Sequence, residues 1–369
     1  MHRTDAIAWV VSVCAGSLRL SQAKTLAILV ASAMRVERVS LANIGRQMLG
    51  GGVKHQIKRC WRFCANERVE TADAMRGVLK RALRQRKRPL IVSLDWTDIK
   101  SFQTLMASVV FKGRSVPVCW SSCTKHVYDG HKSRNAFEEG LLLVLRSMIP
   151  AGQKVILLAD RGFGRTELAR FCQRHKFSYV IRIESDVWVT CAGPGGHEGD
   201  LFDYPVKKGV CKLLRAVEYR KHDPVTQNVV VRWVRGLPAK RDECWFLMSS
   251  LTAGPARISR LYGQRMTIEE LFRDHKSKRN GWSLRDTKIT RADRLDRLLL
   301  ILAVAYLLLC GVGLVAQRTH RPGSWSASSS NDCSVFTIGR IMLMRLSCSA
   351  ARALNALFAA TEEAVPKWG

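Results

Sequence analysis

The sequence predicts a mixed α/β domain preceded by a basic helical unit and followed by a helical region. Apolar runs of strand length begin at residue 90 and lead into a strand, helix, strand succession that ends near residue 183. Residues 186–250 hold strand-like stretches between Gly, Pro and Asp clusters, with no helical period. Both ends of the chain carry apolar residues at helical spacing instead. The units implied are a helical unit (1–88), the α/β domain in two parts (89–185 and 254–316), a β insertion between them (186–253) and a C-terminal helical region (317–369).

Residues 6–17 are apolar enough to imitate a signal peptide, but Asp5 lies where positive charge is needed and no small-residue cleavage site follows, so they read as a first helix. Ser40 caps a short segment with Leu41, Ile44 and Met48 inward, Gly50–Gly52 breaks it, and a second helix runs from about 53 to 64. On that second helix Lys54, Lys58, Arg59 and Arg62 share a face suited to phosphates and a groove, with Ile57 and Trp61 inward. The plainer reading of the face is a solvated one on a small bundle. Strands follow at 90–94, 105–111 and 115–120, Lys112-Gly113 turning between the last two. A helix is expected at about 133–149, a strand at 155–159, a helix at about 165–175 and a strand at 179–183.

The insertion offers strands at 187–190, 229–234 and 245–248, with a glycine-rich stretch at 192–196. Residues 298–316 form an uncharged run of 19 that reaches membrane-spanning length. Alternating charge from Arg291 to Arg297 precedes it, and a helix buried in a large core reads the same way, so no membrane is expected. A Ser-rich loop at 324–330 and one closing helix at about 335–360 complete the chain.

In 369 residues, Lys and Arg number 60 against 30 Asp and Glu, a net charge of +30 that self-repels unless a polyanion neutralises it. Nucleic acid is the partner this charge implies. The first 90 residues hold 18 Lys and Arg against five acids, more than their share. A hydrophobic content of 47% excludes a disordered basic tail. Twelve cysteines are scattered rather than regularly spaced, which points to a reducing compartment, hence the cytoplasm. Cys60/Cys64 and Cys119/Cys123 lack zinc-ligand spacing and read as buried thiols.

Two aspartates occupy equivalent places. Asp95 follows the run 90–94 and Asp160 follows 155–159, each at the carboxyl end of an apolar strand, where a sheet holds an acid rigidly facing outward. Two such acids suit a shared divalent cation, because Mg²⁺ is held by one or two carboxylates plus substrate phosphate. A third acid lies on a helix: at about 100° per residue, Tyr262, Arg265, Glu269 and Lys276 share one narrow stripe, and Glu270 lies about 100° away from it. An acid between two bases suits a phosphodiester at a metal; an exposed salt-bridged face is the alternative.

The pattern Tyr262-x2-Arg265-x3-Glu269-x6-Lys276 resembles the signature of bacterial insertion-sequence transposases with an RNase H-like catalytic domain. The similarity extends to Leu94-Asp95-Trp96-Thr97-Asp98-Ile99, to Ala159-Asp160-Arg161-Gly162-Phe163 and to the stretch 265–274, and covers about residues 35–316. The resemblance implies an RNase H-like mixed sheet with a β insertion, and Asp95, Asp160 and Glu269 as a D-D-E triad holding two Mg²⁺ or Mn²⁺ ions. It implies that Tyr262, Arg265, Lys276 and Arg161 lie on DNA near the scissile phosphate, and that Trp245 stacks on a base flipped from the transposon end. It further implies end cleavage, strand transfer, a hairpin at the excised end and a homodimer bridging inverted-repeat ends and target DNA at the nucleoid. A metal nuclease of the same fold and an inactive DNA-binding derivative are the rival readings.

Overall fold

The computed structural model describes residues 1–84, 86–124, 133–192, 196–234, 243–279, 281–327 and 333–365. Five helices open the chain: α1 (Arg3–Cys14), α2 (Leu20–Ala33), α3 (Leu41–Arg46), α4 (Val53–Ala65) and α5 (Thr71–Leu83). Ser40 caps α3 by accepting from the Asn43 amide at 3.0 Å. The α3–α4 pair closes tightly because Gly45 has no side chain: a Cβ there would lie 2.7 Å from the Ile57 Cα. Ile57 is half-buried, but Trp61, expected inward, is exposed on the outer face of α4. Its neighbours Cys60, Phe63 and Cys64 fill the core in its place.

The sheet begins with an antiparallel meander of β1 (Leu90–Ile99), β2 (Phe102–Phe111) and β3 (Arg114–Thr124). Then come α6 (Arg134–Met148), β4 (Val155–Ala159), α7 (Thr166–Arg174) and β5 (Phe177–Arg182), with β1, β4 and β5 parallel neighbours. The meander strands are longer than expected: β1 runs five residues past 94, because polar Asp95, Thr97 and Asp98 still pair with β2 although the apolar run has ended.

The insertion supplies β6 (Trp188–Cys191), β7 (His197–Asp200), β8 (Cys211–Tyr219), β9 (Val225–Val234) and β10 (Glu243–Ser249). It does not form a sheet of its own. β10 pairs antiparallel with β5, giving one ten-stranded sheet ordered β3-β2-β1-β4-β5-β10-β9-β8-β6-β7. β7 and β8 carry no signal legible from alternation: β7 is a short polar edge strand, and β8 shifts register between Leu214 and Val217 with Ala216 at φ 50°, which breaks the period of two. The central part of the glycine-rich stretch, 193–195, lies outside the described residues, as do 328–330 of the Ser-rich loop.

Beyond the insertion run α8 (Pro255–Gly263), a 3₁₀ turn (Gln264–Met266), α9 (Thr267–Lys276) and α10 (Ala292–Thr319). The apolar window of α10, long enough to cross a membrane, is wholly buried inside the protein. It packs on β3, on α2, α4 and α5, and on the last two helices, so N- and C-terminal helices share one core. The closing helix is two: α11 (Val335–Met342) and α12 (Ala350–Glu363), the second restarted by Ser349, which accepts from the Arg352 amide at 3.1 Å. The break lets both lie against α10, where Gly313 and Gly339 admit the Val335 and Leu309 carbonyls at distances a Cβ would forbid.

Candidate functional site

The site is built where β4 ends. Leu94 and Ala159 are the last register pair between β1 and β4, so Asp95 and Asp160 stand side by side immediately beyond it. Asp95 is therefore inside a strand that continues with β2, not at a strand end as its apolar run suggests. Its Oδ1 accepts from the Trp96 amide at 2.9 Å, and Asp160 Oδ1 accepts from the Gly162 amide at 3.0 Å, opening the short 3₁₀ turn Arg161–Phe163.

The third acid arrives with α8–α9, and here the expected single helical stripe is corrected. Tyr262 belongs to α8, Glu269 and Lys276 to α9, and Arg265 to the 3₁₀ turn that joins them. That tighter turn aims Arg265 inward, so that it is buried rather than lying on an exposed face. Its guanidinium meets all three acids: Nη1 to Glu269 Oε1 at 2.6 Å, Nη2 to Asp95 Oδ2 at 3.3 Å, and Nη2 to Asp160 Oδ2 at 3.7 Å. Burial pushes the Asp95 carboxyl up to about 6, with Arg265 opposing that rise and Asp160 and Glu269 adding to it. Crowded carboxylates of this kind call for a cation between them.

The donors are all hard oxygens, the chemistry that Mg²⁺ and Mn²⁺ select, and two come from adjacent rigid strands, so the residues fit such an ion. They surround the guanidinium rather than one common point: among the described residues no group of three or more His, Cys, Asp or Glu stands close enough to hold a metal as placed. Arg265 supplies the positive charge between them.

Lys276 is half-buried, donates to Thr97 Oγ1 at 2.7 Å, and has its ammonium pulled below its usual range by burial and by Arg285. Since Thr97 shares a strand face with Asp95, Lys276 flanks the acids. Tyr262 is buried, its hydroxyl beside Arg182 and its ring edge-on to Trp245 with centroids 5.2 Å apart. The Arg232 guanidinium lies 5.5 Å from the Trp245 ring centroid. Arg161 is exposed on the turn after Asp160 and pairs with Glu184 at 3.6 Å. Glu270 stands off the acids as expected, but it is not idle: it binds Arg114 of β3 at 2.6 Å and Arg273 at 2.8 Å, clamping α9 to the meander.

Lys54, Lys58 and Arg62 are exposed along α4. Arg59 leaves that row: it is half-buried and donates to Thr25 Oγ1 of α2 at 3.3 Å, because one position around the helix already faces the neighbouring helix. Cys60, Cys64, Cys119 and Cys123 are buried thiols. Arg182 and Arg232 escaped sequence reasoning, although each is a lone cation in an apolar strand, opposite Leu247 and Trp245 in register. A charge inside such a run was the available signal.

No curated protein matches this chain. A family model described as "Transposase DDE domain" matches residues 86–308. That span opens just before β1, closes within α10, and contains Asp95, Asp160, Arg265 and Glu269 together with the whole insertion. With well over half its length in that match, the chain belongs to the DDE transposases of the insertion-sequence type, DNA-acting enzymes with an RNase H-like fold whose members generally use divalent metals.

Proposed function

We propose that this transposase binds the terminal inverted repeats of its own element, cuts at the ends, and joins the freed 3′-hydroxyls to target DNA by cut-and-paste transposition. The observation that carries the reading is the gathering of Asp95, Asp160 and Glu269 around one buried guanidinium beside the end of β4. These three acids would hold two Mg²⁺ or Mn²⁺ ions, which when bound supply Lewis acidity at phosphorus and at the attacking and leaving oxygens. The reaction is in-line displacement, water attacking first and the 3′-hydroxyl second, with no covalent enzyme intermediate.

The remaining residues bind and orient. Arg265, released from the acids, offers a planar donor fork to a phosphate, and Lys276 a point charge on its other side. Tyr262 and Arg161 flank the scissile position. Trp245 is a stacking platform for an unstacked base, reached when Arg232 moves off its ring. The exposed row Lys54, Lys58 and Arg62 on α4, supported by Arg59, docks the repeat sequence as the second helix of a helix-turn-helix. A homodimer engaging both ends in the bacterial cytoplasm, at the nucleoid, completes the reading.

The test uses DNA carrying the imperfect inverted repeats that flank the gene. Asp95→Ala, Asp160→Ala and Glu269→Ala are expected to abolish Mg²⁺-dependent cleavage while retaining end binding in gel shifts, since affinity comes from phosphate neutralisation. Near-normal cutting by any one of them removes that residue from the triad. Joining of precut ends to a plasmid separates a transposase from a nuclease of the same fold.

A further inference from the structure

Behind the two aspartates, on the opposite face of the sheet, lies a carboxylate that the reaction does not use. Glu138 of α6 has no solvent exposure, and a buried carboxylate is costly unless every oxygen is bound. It is fully engaged: Oε1 accepts from the Trp96 indole Nε1 at 2.8 Å and from Arg134 Nε at 3.2 Å, and Oε2 accepts from Arg165 Nη1. Trp96 immediately follows Asp95, and Arg165 closes the loop that begins at Asp160 and stands at the residue preceding α7. The Trp96 ring is held besides by Phe137, at 5.4 Å between centroids, and by Arg134 over its face at 5.1 Å.

The position matters because of where the β-ladder stops. From Asp95 onward β1 pairs only with β2, since the β1–β4 register ends at Leu94 and Ala159 and does not continue past the two aspartates. Glu138 bridges that gap, one oxygen on each side. We propose that Glu138 is a positioning residue, a side-chain rung that continues the ladder past its last pair and holds the two aspartates side by side for a divalent ion. The inference rests on Asp95 and Asp160 being metal ligands.

The experiment titrates Mn²⁺ by electron paramagnetic resonance into the full chain without DNA, alongside end binding, single-turnover cleavage over a Mg²⁺ series, and thermal melts. Glu138→Ala is expected to weaken Mn²⁺ binding about tenfold or more, the usual effect of losing a group that orients metal ligands, with end binding within twofold of wild type. Glu138→Gln, which keeps an acceptor for Trp96 but loses the charge facing Arg165, falls between. Trp96→Phe removes the indole donor while keeping an aromatic ring, and is expected to weaken Mn²⁺ binding about threefold, which keeps the test decisive should Glu138→Ala not fold. Lowered melting temperatures with unchanged Mn²⁺ affinity and unchanged Mg²⁺ half-saturation, measured well below the melts, overturn the positioning role. Asp95→Ala and Asp160→Ala separate the two levels. If they abolish Mn²⁺ binding while the Glu138 and Trp96 variants leave it intact, positioning alone is wrong; if they too leave it intact, the metal reading falls and takes the positioning role with it.

Discussion

Arg265→Ala is the perturbation whose consequences the geometry determines most fully. The side chain is 8% exposed and serves three acids, of which Asp95 is 13% exposed, Asp160 36% and Glu269 43%. The two more exposed partners count for little, about 0–1 kcal/mol each. Asp95 decides the size of the effect, because stripping the counter-charge from a buried carboxylate costs about 3–5 kcal/mol. A net loss of about 3 kcal/mol at pH 8 is expected, or roughly 4 °C in melting temperature for a chain of 369 residues. The sign with pH follows from the Asp95 carboxyl, raised to about 6 against an ordinary 3.8. Without Arg265 the carboxyl ionises only at a higher pH, so variant and wild type differ little below about pH 6 and increasingly as pH rises above it. Divalent ions supply the missing charge, so Mg²⁺ should raise the melting temperature of Arg265→Ala more than that of wild type. Thermal melts at pH 5 and pH 8, with and without Mg²⁺, read all three effects. A variant that melts like wild type at pH 8, or that loses as much at pH 5 as at pH 8, would refute the electrostatic role assigned to this guanidinium.

Three further outcomes are expected. Lys58→Ala should lower the slope of log K against log salt for end binding by about 0.9, whereas Arg59→Ala, tied to Thr25, should change the slope less and the melting temperature more; equal slopes would return Arg59 to the binding face. Glu270→Ala releases Arg114 and Arg273, so it should lower stability and, by loosening α9, slow cleavage; full activity together with an unchanged melt would show that the clamp is not needed. Asp296, whose Oδ1 is covered and lacks a hydrogen-bond partner, has its carboxyl pushed up to about 7 by burial, with hydrogen bonds from Ser122 opposing. Its ionisation therefore disfavours the fold above about pH 7 and is relieved as pH falls toward 4, so Asp296→Asn should melt higher than wild type at pH 8 and no higher at pH 4.5. A gain that is independent of pH would point to packing instead.

The sequence by itself determined the elements whose signal is local. An apolar run with a cap or turn residue at its end fixes β4 at Val155–Ala159 and sets the start of α6 behind Ser133. The residues that gather at the site were legible in the same way, because Asp95 and Asp160 follow apolar runs and Glu269 keeps a fixed spacing from Arg265 and Lys276. Facing was less legible: on α4, Arg59 and Trp61 exchanged the roles that helical periodicity gave them, since which flank of a helix meets its neighbour is settled by α2 and not by α4. Only the tertiary structure decided that the insertion extends the central sheet through β10 on β5, and that the closing helix breaks so that both halves can reach α10. Each of these depends on what a partner segment offers, and composition cannot state that. The same holds at the acids. That Arg265 turns inward to serve all three follows from one 3₁₀ turn between α8 and α9, a departure of a few tens of degrees from helical phase that no spacing rule encodes. That Glu138 joins Trp96 of β1 to Arg165, five residues beyond Asp160, is likewise a matter of packing.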